Sequence, residues 1–102
     1  MTNRDCLMQR FVDSGPQWAQ SESGFVVRFA GRYKLEYIES GCTLEVSVEH
    51  LANPFVVAIF LSEVKRWARP HSDEPLPPER VQEIGMNIAA AMKHLRTPFE
   101  LK

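Results

Sequence analysis

Residues 31–50 read GRYKLEYIESGCTLEVSVEH, and the alternation in this stretch decides the fold. Cys42, Leu44, Val46 and Val48 take every second position, with Thr43, Glu45, Ser47 and Glu49 between them. Tyr33, Leu35 and Tyr37 alternate in the same way with Arg32, Lys34 and Glu36, and Ser40-Gly41 supplies a turn between the two runs. Successive side chains on a strand point to opposite faces, so period two over this length predicts paired antiparallel strands with one buried and one wet face. Glu36, Glu45 and Glu49 belong to the wet face, and Glu39 sits by the turn.

The pattern extends on both sides. In FVVRFA (25–30), Phe25, Val27 and Phe29 share a face, which predicts a preceding strand; after the Asn53-Pro54 turn, FVVAIFL (55–61) is wholly apolar and rich in β-branched residues, as a central strand would be. SEVKRWARP (62–70) predicts a short helix capped by Ser62 and ended by Pro70. A Pro-rich loop follows. Then PERVQEIGMNIAAAMKHLR (78–96) places Val81, Ile84, Ile88, Ala91 or Met92, and Leu95 at helical spacing, with Pro78 in the first turn and basic residues at the far end. Gly85 in its middle points to close packing on the sheet. TPFELK (97–102) suits a short last strand. Strands first and helices later predict an α+β fold: an antiparallel sheet of about four to five strands, packed on one face by a long C-terminal helix and a short helix.

Residues 1–23 show no such order and are expected to form an N-terminal arm or short helix, with residues 24–102 as a single globular domain. In DCLMQRFV (5–12), Leu7, Met8, Phe11 and Val12 suit two helical turns stopped by Gly15 and Pro16, and Trp18 is expected to tuck against the body. A chain of 102 residues has room for one core. Two cysteines, Cys6 and Cys42, are too few for a disulfide framework, so reduced thiols in the cytoplasm are expected. The N-terminus carries charges where a signal peptide needs an apolar run, and PFVVAIFL is far too short to span a bilayer.

No constellation carries catalysis. Ser62 and Lys65 have the S-x-x-K spacing by which a lysine can activate a serine, but the accompanying Ser-Asp-Asn and Lys-Thr-Gly elements are absent. His50, His71 and His94 lack zinc-ligand spacing, and HSDE (71–74) reads as a solvated loop. There is no glycine-rich phosphate cradle. Glutamates pointing out of an open sheet face have no cleft to split their pKa values, so acid–base catalysis is declined as well. No enzyme, cofactor or metal is expected.

What remains is the distribution of charge. The chain carries a net −1 and a pI near 6.3, which gives nucleic acid no global basic field to follow. Locally, residues 32–50 balance to −2, residues 62–70 to +2 and residues 71–84 to −3. Lys65, Arg66, Trp67 and Arg69 combine basic and aromatic groups, as proteins that hold single-stranded nucleic acid do. They are the alternative site, for a small nucleic-acid-binding or regulatory module; the competing reading buries Trp67 under the sheet.

Three landmarks carry a family resemblance: G-x-Y-x-x-x-Y-x-E at residues 31–39, Trp67 ahead of Pro70, and E-R-x-x-x-I-x-x-N-I at residues 79–88. With the order of elements from Phe25 to Lys102, they resemble the small immunity proteins of bacterial contact-dependent growth-inhibition and related polymorphic toxin systems. The resemblance implies a cytoplasmic antidote, not an enzyme, that binds a cognate toxin domain one to one and blocks its active site. Such toxins are often nucleases, which are basic because they grip phosphates, so an acidic surface would attract them. On charge, the expected contacts are Glu36, Glu45 and Glu49 on the sheet with Asp73 and Glu74 on the loop.

Overall fold

The computed structural model describes residues 10–52, 54–64, 66–68 and 75–102. Among these, seven strands form one sheet in simple chain order: β1 (Phe11–Gly15), β2 (Trp18–Ser21), β3 (Val26–Phe29), β4 (Lys34–Glu39), β5 (Cys42–Leu51), β6 (Val56–Ile59) and β7 (Phe99–Leu101). One α-helix, α1 (Pro78–His94), separates β6 from β7. Neighbours pair antiparallel except β6 and β7, which run parallel because the chain crosses over through α1 between them.

The diagnostic stretch folds as its alternation predicts. Leu35, Tyr37, Leu44, Val46 and Val48 are buried on one face of β4 and β5. Glu39 pairs with Cys42, so the loop between the strands is two residues long. Both Ser40 (φ 52°) and Gly41 (φ 80°) take positive φ, the backbone a type I′ hairpin turn requires. Registry continues the buried row: Ala19 lies beside Val27, Val27 beside Tyr37, and Tyr37 beside Leu44.

α1 packs on that row. Ile84, Gly85, Ile88, Ala91 and Met92 are its buried residues, and Pro78 opens it with Lys93 and His94 in the last turn. Gly85 permits a close approach, to the turn after β6 rather than to a strand: a Cβ there would stand 2.6 Å from the Leu61 methyl.

Three expectations need correcting. The sheet has seven strands, not four to five, because the segment ahead of Phe25 contributes the hairpin β1–β2. Phe11 and Val12 therefore lie on a strand rather than a helix, while the proposed helical residues Leu7 and Met8 lie outside the described residues. Their adjacency mimicked a helical stripe; the pairing with Ser21, Gln20 and Trp18 across a bulge is what fixes the strand. The short helix expected over 62–70 is not found among the described residues of that segment, 62–64 and 66–68. A 3₁₀ turn spans Leu61–Glu63 with no side-chain cap, Val64 is extended, and Arg66 bridges to Pro75. The backbone found partners elsewhere: Ala68 N–H donates to Thr43 C=O at 2.7 Å, along the part of β5 that β6 leaves unpaired.

Candidate partner-binding surfaces

The face of the sheet turned away from α1 carries the glutamates singled out above. Trp18, Arg28, Glu36 and Glu45 lie side by side across β2 to β5. Arg28 Nε meets Glu36 Oε1 at 2.6 Å, and Lys34 Nζ stands 3.5 Å from Glu45 Oε2. Further along the sheet Lys102 sits 3.2 Å from Glu100. Glu49 is exposed, opposite Ala58, and has no cationic partner among the described residues. The sheet thus interleaves its charges, and its field is mixed rather than acidic. Asp73 and Glu74 lie outside the described residues.

The basic segment divides similarly. Trp67 packs partly buried against the hydrophobic core, short of the full burial under the sheet that the competing reading expected. Arg66 is exposed, and Lys65 and Arg69 lie outside the described residues.

The landmark residues from the two ends of the domain meet. Asn87 Nδ2 donates to the Tyr37 hydroxyl at 2.9 Å, and that hydroxyl donates to Glu39. The second Glu39 oxygen accepts from Arg80 at 2.6 Å, and Arg80 also reaches Glu83. Burial, then the bond to Glu39, pushes the Tyr37 phenol well above its ordinary range. Burial opposes the charge on Arg80, but its bonds to Glu39 and Glu83 outweigh that and raise its pKa. A phenol held neutral and a guanidinium held charged tie helix to sheet; neither is tuned for proton transfer near neutral pH. No cluster of three metal-ligating side chains occurs among the described residues.

The surface without an internal role lies on the helix side, past the end of α1. There the sheet continues uncovered and forms a groove of about 930 Å³. Phe29, His50 and Phe55 run along it, each ring centroid 6.0 Å from the next, and Tyr33, Arg32 and Glu49 complete its rim. Tyr33 is 65% exposed and Phe55 52%, which makes them large apolar groups left facing water. Val48 and Val57 form the floor. Three connections meet here: the β1–β2 turn at Pro16 and Gln17, the β3–β4 link at Gly31, and the approach to β6 at Phe55.

No protein-family model matches this chain, and neither a curated protein nor a solved structure matches it.

Sequence reasoning missed the groove because it assigned Tyr33 and Phe55 to strand interiors. Tyr33 does share its face with Leu35 and Tyr37, but α1 ends before covering it. The available signal was proximity to punctuation: Tyr33 follows Gly31-Arg32, and Phe55 follows Asn53-Pro54.

Proposed function

We propose that this chain is an immunity-type binding protein that neutralises a toxin domain by seating on it one to one, with the aromatic groove as the anchor. The partner class comes from the sequence resemblance. The observation that carries the binding reading is the exposure of Tyr33 and Phe55 on a groove whose rim is polar. Aromatic anchors in an apolar depression, ringed by groups such as Arg32 and Glu49, are the anatomy of energetic hot spots in protein interfaces. A rigid sheet floor supports them, so little ordering cost accompanies docking. Glu49 borders this groove from its position on β5 while strand alternation turns its side chain to the open face, and it is the sheet glutamate without a cationic partner among the described residues. It leaves an uncompensated negative charge at the end of the sheet that also carries the anchors, which would attract a basic toxin surface.

The test mixes the purified chain with the toxin domain encoded immediately upstream, using calorimetry and native mass spectrometry. A one-to-one complex that abolishes toxin activity is expected. Changing Tyr33→Ala and Phe55→Ala together should weaken it by about 100-fold or more, with circular dichroism unchanged. No complex with that domain overturns the immunity reading; a complex indifferent to both substitutions overturns the groove as its anchor.

A further inference from the structure

The sheet ends in two edges, and they are built differently. β1 carries a bulge between Phe11 and Asp13, a device that spoils an edge for further pairing. β7 is regular, in unbroken parallel register with β6 from Phe99 to Leu101. Pro98 C=O accepts from Val57 and Lys102 N–H donates to Ile59 C=O, both on the β6 side. Strand alternation then turns the N–H and C=O of Leu101 outward, where they have no backbone partner among the described residues.

We propose that β7 is a self-complementary edge that pairs antiparallel with β7 of a second copy of this chain. The sequence Phe99-Glu100-Leu101-Lys102 reads as its own charge complement about Leu101. With the two-fold axis at that residue, Leu101 of each copy exchanges N–H···O=C bonds with the other. Glu100 of one copy then lies directly opposite Lys102 of the other, and the pair occurs twice. Opposite charges at facing positions favour this register; a one-residue slip sets charged against apolar side chains, and a two-residue slip places Glu100 opposite Glu100 or Lys102 opposite Lys102. The charged pairs occupy the open face, where Glu100 and Lys102 are 56% and 48% exposed and already sit 3.2 Å apart within one copy. Leu101, 43% exposed, lies on the helix side as one wall of an apolar groove with Leu61, Val64, Leu76 and Val81. Pairing brings the two Leu101 side chains together beside that groove and removes them from water. The contact is small, so the dimer is a weak one. No residue from Phe99 to Lys102 lines the aromatic groove, so the pairing stands or falls independently of the toxin-binding reading.

Sedimentation equilibrium up to about 1 mM protein, where an association with Kd on the order of 1 mM is substantially occupied, tests the pairing. The wild-type average mass should rise from 11.7 kDa towards the dimer with concentration. Glu100→Lys and Lys102→Glu should each be monomeric, because facing pairs become like-charged. An equimolar mixture of the two should recover association, since one edge is then all positive and the other all negative. Both variants lose the intrachain Lys102–Glu100 contact, so recovery reports pairing between chains and not restored folding. A wild-type chain that stays monomeric, single variants that still dimerise, or a mixture that stays monomeric overturns the proposal.

Discussion

The Tyr37 hydroxyl joins Asn87 and Glu39, so one phenol links the middle of α1 to the end of β4 across 50 residues of sequence. Tyr37 itself is fully buried and stacks on Phe25 with centroids 5.5 Å apart. Tyr37→Phe keeps the ring and removes the link, leaving the Asn87 amide without its acceptor. The expected cost is about 1–2 kcal/mol in urea unfolding.

The same phenol predicts a pH dependence. Its pKa is raised in the folded protein, by burial first and by Glu39 second, so folding favours the neutral form. The stabilisation is fully present below the unfolded phenol value of about 10 and is lost as pH rises beyond it towards the folded value. Stability of the wild type should therefore decline above about pH 10, and Tyr37→Phe should lessen that decline. Equal alkaline slopes for the two proteins would contradict this account.

Ser21, 2% exposed, is the buried polar residue among the described residues. Its Oγ accepts from the backbone N–H of Gly24 at 3.1 Å and of Phe25 at 2.9 Å, which organises the turn between β2 and β3. Ser21→Ala strands the Phe25 N–H and leaves the Gly24 N–H with only its 3.3 Å bond to the Ser21 C=O, and should destabilise the fold by about 1–3 kcal/mol. Ser21→Thr keeps the acceptor and should cost less; the comparison by thermal or urea melts separates lost hydrogen bonds from changed volume.

Arg80 on the first turn of α1 and Glu39 at the end of β4 are partly shielded, each side chain 28% exposed. A double-mutant cycle of Arg80→Ala and Glu39→Gln should show a coupling of about 1 kcal/mol that shrinks as salt is added. A coupling of zero would mean that the apolar face of α1 alone sets its position.

The two sheet glutamates should behave differently towards a basic partner. Glu45 has Lys34 beside it, whereas Glu49 has no cationic partner among the described residues and lies at the groove. Charge reversal of Glu49 to lysine should slow association several-fold at low ionic strength, and reversal of Glu45 should do less. Stopped-flow association rates at two salt concentrations make the comparison, and a larger effect at Glu45 would move the interface along the sheet, away from the groove.

Much of the architecture was legible along the chain. Period two from Tyr33 to Val48 specified two strands and their faces, and the turn chemistry at Ser40-Gly41 specified their register. The helical spacing from Val81 to Leu95, with Pro78 before it, specified α1. These are local properties, in which each residue states its own conformational and burial preference. The hairpin β1–β2 was not legible in this way. Its strands are short, its buried positions are Ala19 and Ser21, and only pairing with β3 makes them interior. The segment after Leu61 misled for the opposite reason: it has helical composition, but its backbone bonds to β5 instead.

The candidate sites divide along the same line. That Glu36, Glu45 and Glu49 share a wet face follows from alternation alone. That Arg28 and Lys34 neutralise two of them, and not the third, depends on which strands lie side by side. The groove depends on where α1 stops relative to the sheet, because a sequence can mark Tyr33 and Phe55 as apolar but not as uncovered. Composition and spacing thus determined the elements, their faces and the absence of a recognisable catalytic motif. Strand neighbours and the reach of one helix, which are long-range packing outcomes, decided which charges are satisfied and which aromatic surface remains open to a partner.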